Sequence, residues 1–143
     1  MRNLFCLAVL FTILFTLGCE EAAKELSTTV SGYVKDDETP VGSALVFLLS
    51  YGDTASTGMS LDNGSITNSS GRYVIVEVQT GDYFVCAVKD NNGNMTYDSG
   101  VDAIGYYGDV ILGITIPEKF TVQNEGDDID SINIEEMYVS PIR

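Results

Sequence analysis

Oxygen-bearing side chains recur at Asp90, Asn92, Asn94, Asp98 and Asp102 in the stretch Asp90-Asn91-Asn92-Gly93-Asn94-Met95-Thr96-Tyr97-Asp98-Ser99-Gly100-Val101-Asp102. Alternating short oxygen ligands on a glycine-containing loop is how a chain wraps a hard cation, because Ca²⁺ takes roughly 6 to 8 oxygens at flexible distances. Asp90, Asn92 and Asn94 offer three oxygens, the Thr96 carbonyl a fourth, and Asp98 or Asp102 closes the shell. The same residue types also build a solvated β connection, since Asp, Asn and Gly satisfy backbone groups locally and tolerate left-handed conformations. Calcium ligation and a plain polar loop are both open at this level.

Other chemistry is narrowed by what surrounds this stretch. The chain has no histidine, the commonest general base and transition-metal ligand, and no tryptophan. Ser43, Ser50 and Ser140 have no base that spacing nominates. Paired Asp or Glu residues suffice for glycoside chemistry, so a small carboxylate-dependent hydrolase or glycan-processing subunit is the alternative class. Against it, nearly all the acids fall in turn-like segments, and a non-enzymatic domain is the expectation. The run Ala103-Ile104-Gly105-Tyr106-Tyr107-Gly108-Asp109 reads as a loop packing on its own domain, or as tyrosines that stack on sugar rings. A second acidic run, Glu125-Gly126-Asp127-Asp128-Ile129-Asp130, reads as a turn. With 21 acidic residues against 7 basic ones, the net charge is −14 and no basic patch forms, which excludes nucleic acid as a partner on electrostatic grounds.

The calcium reading has a counterpart among known loops. Asp90-x-Asn92-x-Asn94 is similar to the opening of EF-hand-like and dockerin-like calcium loops, with Met95 where those loops place a glycine and Val101 where they place a bidentate glutamate. On that resemblance the site belongs to the weak class of extracellular modules, with a dissociation constant of about 10⁻⁴–10⁻³ M.

At the amino terminus, Arg2 precedes an uncharged apolar run from Leu4 to Leu17, followed by Gly18-Cys19 and then Glu20-Glu21. The run is shorter than the roughly 20 residues a spanning helix needs and has the layout of a signal peptide. Phe15-Thr16-Leu17-Gly18-Cys19 resembles a bacterial lipobox, with Thr16 in place of the usual leucine. The resemblance implies cleavage after Gly18 and diacylglycerol plus amide-linked acyl groups, such as palmitate, on Cys19. It also implies that the partner is a membrane, in a bacterial envelope. Glu20 after the cysteine implies outer-membrane sorting in a Gram-negative host. Two or three acyl chains on one residue make a stable anchor where one does not. Residues 1–18 are thus expected to be the signal peptide, 19–27 a lipidated tether, and 28–143 the folded domain. Cys86, the one cysteine left in that domain, sits among Phe84, Val85, Ala87 and Val88 and reads as a small buried apolar residue.

From Thr28 onward, β-branched and aromatic residues come in short runs separated by Gly, Asn, Asp and Pro, without helical periodicity, so an all-β fold is predicted. Val30–Val34 reads as a first strand, Asp36–Pro40 as a turn, and Ala44–Leu49, apolar on both faces, as a central strand. Residues 51–65 are polar and read as an edge. Arg72–Val78 and Tyr83–Val88, joined through Gly81-Asp82, read as a hairpin. Ile111–Thr115 and Phe120–Gln123 read as strands around Pro117, and Asp130–Met137 as a half-exposed closing strand. About seven strands at this spacing predict a Greek-key sandwich of immunoglobulin-like type. Val30-Ser31-Gly32, Pro40-Val41-Gly42-Ser43-Ala44-Leu45-Val46, Thr67-Asn68-Ser69-Ser70-Gly71-Arg72-Tyr73 and Gly81-Asp82-Tyr83 together resemble the carboxypeptidase regulatory-like, prealbumin-like sandwich. That family implies an accessory or adhesive module without catalytic residues, here with an envelope protein or a glycan as partner. Within the pattern, Gly32 is expected to permit close approach or a bulge, Gly71 and Gly81 positive φ in turns, and Tyr73 and Tyr83 to fill the core.

Overall fold

The computed structural model describes residues 27–50 and 63–140. Gly18, Cys19, the signal peptide, most of the tether and the polar stretch at 51–62 lie outside the described residues. What is described is all-β, with no helix. The strands are β1 (Thr29–Tyr33), β2 (Lys35–Asp36), β3 (Thr39–Pro40), β4 (Leu45–Ser50), β5 (Gly64–Ile66), β6 (Arg72–Ile75) and β7 (Gly81–Lys89). They continue with β8 (Ala103–Tyr106), β9 (Gly108–Ile111), β10 (Ile114–Pro117), β11 (Phe120–Val122), β12 (Asp128–Ile129) and β13 (Tyr138–Val139).

Two sheets share one core. The smaller has the order β12-β1-β6, and the larger β13-β8-β7-β4-β5, with β11 also on β7. Val30, Val34, Tyr73 and Ile75 of the first face Val46, Leu48, Val85 and Ala87 of the second. The alternation of β4 explains its apolar run: Val46 and Leu48 enter this core, while Phe47 joins Cys86, Val88 and Ile104 in a second cluster on the opposite face. Burial pushes the Cys86 thiol up to about 12. β7 is the organising strand. One of its edges pairs with β4 along its length; the other is shared, with β8 on Cys86–Lys89 and β11 on Gly81–Tyr83. The chain between β8 and β11 is thereby expelled as a separate hairpin, β9–β10.

Four local expectations are corrected. The run from Ala103 to Asp109, expected as a loop, is strand β8 and the start of β9, because β8 completes the edge of β7. β6 and β7 do not form a hairpin: β6 pairs with β1 and β7 with β4, so the link between them crosses from one sheet to the other. Glu77 at φ +57 makes that crossing, and Val78 turns inward, its N–H bonded to the Thr28 carbonyl. The stretch Ile111–Thr115 is not one strand, because Leu112 and Gly113, both at positive φ, form the tip of the β9–β10 turn. Asp130–Met137 is not a regular strand either. Ser131 at φ +66 breaks the ladder after β12, yet Ile132 and Ile134 are buried and donate their N–H groups to the carbonyls of Ser31 and Tyr33.

Gly32 is what lets this last segment lie against β1. A Cβ there would stand 2.1 Å from the Ile132 carbonyl oxygen. The same carbonyl accepts a 2.6 Å hydrogen bond from the Tyr73 hydroxyl, which burial holds well above its ordinary pKa. Gly71, at φ +76, closes the turn before β6, where a Cβ would meet the Val34 carbonyl oxygen at 2.4 Å. Tyr83 is only half-buried; it packs at the margin of the core against Phe120.

Candidate functional site

The 90–102 loop is closed by the sheet itself. Lys89, the last residue of β7, pairs with Ala103, the first of β8, so the loop is a connection between adjacent antiparallel strands. Its backbone is organised by its own side chains. Asp90 accepts N–H bonds from Gly93 at 2.6 Å and Met95 at 2.8 Å. Asn92 Oδ1 accepts from Asn94 N, and Asn94 Oδ1 from Thr96 N, at 3.0 and 2.8 Å. Such successive Asx turns curl a chain so that alternate side chains point inward. The backbone N–H groups around Asp90, that of Met95 foremost, hold its carboxyl below the usual carboxylate range.

The inward tips meet. Asp98 Oδ2 accepts from Asn92 Nδ2 at 2.8 Å and from Asn94 Nδ2 at 2.6 Å. Asp102 is placed differently. It is fully buried beneath the loop, with Oδ1 bonded to Asn91 N and Oδ2 to Asp98 N, both at 2.8 Å. Asn91, a residue the spacing argument passed over, adds a 2.8 Å bond from Nδ2 to the Val101 carbonyl. Of the five residues nominated from sequence, Asn92, Asn94 and Asp98 converge, Asp90 shapes the turn beside them, and Asp102 braces it from below.

The residue types suit a hard cation in kind, but where they meet, both Asn side chains present Nδ2 hydrogens to Asp98 while their Oδ1 atoms face backbone N–H groups. Each Asn Oδ1 retains a second lone pair beyond the N–H it accepts, and an ionised carboxylate offers about four acceptor positions. Met95 stands at φ +61, a left-handed conformation that favours glycine. The backbone makes the sharp turn without the glycine. Carboxylates are few, however: among the described residues no three Asp, Glu, Cys or His side chains are grouped as a metal site. Any ion here would rest largely on amide and carbonyl oxygens, which corresponds to weak affinity.

The remaining polar clusters have structural work. In the second acidic run, Asp128 accepts from the Thr29 hydroxyl and Asp130 from the Ser31 hydroxyl at 2.6 Å, fastening this segment to β1. Asp82 is held below its ordinary range chiefly by Lys119, 2.7 Å away, and then by the Thr121 hydroxyl, which ties β11 to β7. Sequence gave no sign of this pairing, because its partners are far apart in the chain. Tyr106 packs near Tyr138 with ring centres 6.4 Å apart, and Tyr107 meets Phe120 edge-on at 6.2 Å. Open recesses of about 420 and 290 Å³ lie elsewhere on the domain, and neither is lined by a residue of the 90–102 loop. No family model, curated protein or solved structure matches the chain.

Proposed function

We propose that this chain is a non-enzymatic lipoprotein of a bacterial envelope, held to a membrane by acyl chains on Cys19 after cleavage at Gly18. Its all-β domain, of immunoglobulin-like and prealbumin-like Greek-key type in this reading, serves as a binding or accessory module toward an envelope protein or a glycan. Calcium stiffens the loop of Asp90, Asn92, Asn94, Asp98 and Asp102 when that module is in use. The observation that carries the reading is the convergence of Asn92, Asn94 and Asp98 at the end of the domain opposite Ser27, where its chain begins. A domain tethered at one end presents the other to partners, and a polar loop closed by an ion costs less conformational entropy to dock than an open one.

Thermal unfolding with and without calcium tests the site. At ten times the dissociation constant, binding to the folded state alone adds about 1.4 kcal/mol, which raises the melting temperature by about 5 °C in a domain of this size. Asp98→Ala abolishes the rise. No rise at millimolar calcium in the parent protein removes calcium from the proposal. The anchor is tested separately: Cys19→Ser moves the protein from the membrane to the soluble fraction, and persistence on the membrane refutes acylation as the attachment.

A further inference from the structure

The β9–β10 hairpin carries an apolar outer face that no described residue covers. Cross-strand pairing sets Ile111 beside Ile114 and Val110 beside Thr115, so alternate residues fall on two faces. Thr115 is buried toward the domain, while Ile111, Ile114 and Ile116 are more than half exposed and Leu112 at the tip is 97% exposed. Burying leucine is favourable and holding it at positive φ is not, yet Leu112 stands at φ +53 in a two-residue turn where Asn or Gly is the usual choice. The residue breaks two local rules at once, and such breaches gather at functional sites.

Position in the fold identifies the occupant. Ser27 and Thr28 bond to Glu77 and Val78, just before β7 begins at Gly81, so the chain enters the domain at the Gly81 end of the large sheet. β8 runs toward that end, from Ala103 beside Lys89 to Tyr106 beside Cys86, and delivers the hairpin there; β11 resumes beside Tyr83 and Gly81. The hairpin therefore leaves from the half of the domain where the tethered chain enters, and the 90–102 loop lies at the other end. From Cys19 to Ser27 is eight residues, which at full extension reach about 28 Å. Val110 to Pro117 contains no charge, and the acids Asp109 and Glu118 lie at the hairpin's base, away from its tip. Protein-docking patches centre on Trp, Tyr and Arg, whereas the tip of this face, Ile111, Leu112 and Ile114, is aliphatic, and Asp109 opposite Ile116 marks where the apolar part ends. Repulsion from a net charge of −14 favours an uncharged lipid surface over an anionic one.

We infer that the tip of the β9–β10 hairpin, Ile111, Leu112 and Ile114, inserts into the zwitterionic bilayer that holds the anchor, giving the domain a second point of attachment and a fixed orientation. This rests on the lipid anchor proposed above. The test uses the full chain, acylated and reconstituted into phosphatidylcholine vesicles, with an environment-sensitive fluorophore on Leu112→Cys, and in parallel on Ile114→Cys and Ser99→Cys. Buried Cys86 does not compete for the label. Insertion to the depth of interfacial elements predicts blue-shifted emission at the tip and quenching by lipid-borne nitroxides about fivefold stronger than at position 99. Protein that floats with the vesicles while both tip labels report water overturns the hairpin and leaves the anchor standing. Tip labels that are shielded but unquenched by lipid, together with dimers formed when a bis-maleimide alkylates the thiols of two unlabelled Leu112→Cys chains, assign the face to a second copy and overturn the bilayer. Failure to float refutes the anchor, and the insertion with it.

Discussion

Replacing Asp102 separates bracing from ligation. The side chain is fully buried, and its two oxygens hold the N–H groups of Asn91 and Asp98, the first at the loop's entry and the second at the turn that returns it to β8. In Asp102→Ala both donors lose a charge-assisted partner, at about 1.5–3 kcal/mol each, and water entering the vacated space recovers part of that. Relief of the buried charge offsets a further part, so the net cost is about 2–4 kcal/mol. Asp102→Asn keeps one acceptor and turns an amide N–H toward the other donor, and its cost is about half as large. Asp98→Ala, by contrast, removes only bonds between exposed side chains, so its cost without calcium is below about 1 kcal/mol. Urea unfolding of the three variants in chelator, followed by far-ultraviolet circular dichroism, reads these differences. Equal midpoints for Asp102→Ala and the parent would refute the brace, and with it the argument that the loop is built before any ion arrives.

Three further outcomes follow from the fold. Gly32→Ala drives a Cβ into the Ile132 carbonyl, which must withdraw from the Tyr73 hydroxyl and draw the Ile132 N–H away from the Ser31 carbonyl, so stability falls by about 2–4 kcal/mol; Gly93→Ala meets no atom within 4 Å and loses only about 1 kcal/mol through its φ of +75°. Equal urea midpoints for these two variants would show that close approach is not what Gly32 provides. The Cys86 thiol, buried and raised to about 12, resists alkylation at pH 8 in the native protein and reacts once urea unfolds it; prompt native labelling contradicts the packing of the second cluster. Asp82 and Asp90 both have folded pKa values below their unfolded ones, so the stability they contribute is complete above the ordinary carboxylate range and is lost as pH falls from about 4 through the folded values. Lys119→Met shrinks the Asp82 part of that acid loss, read as a flatter dependence of melting temperature on pH between roughly 4 and 2.

The amino-acid sequence alone determined the all-β class, because β-branched and aromatic runs punctuated by Gly, Asn and Asp leave no helical face to bury. It also determined the burial of Cys86, since a thiol among apolar neighbours has few physical outcomes, and narrowed Gly32 to a close approach or a bulge, of which the fold uses the first. The acidic loop was legible as a polar connection for the same local reason. Only tertiary structure decided which of its side chains meet: spacing weighs Asp98 and Asp102 equally, and the pairing of Lys89 with Ala103 sends one inward to the amides of Asn92 and Asn94 and the other beneath the loop. Sheet membership was likewise beyond local pattern. Arg72–Ile75 and Gly81–Lys89 read as neighbours because they are adjacent in the chain, but their partners, β1 and β4, lie far off in it, and burying apolar faces between two sheets outweighs the short connection. The exposed hairpin follows from the same competition: β8 and β11 divide one edge of β7, and the aliphatic residues between them are left outside the core.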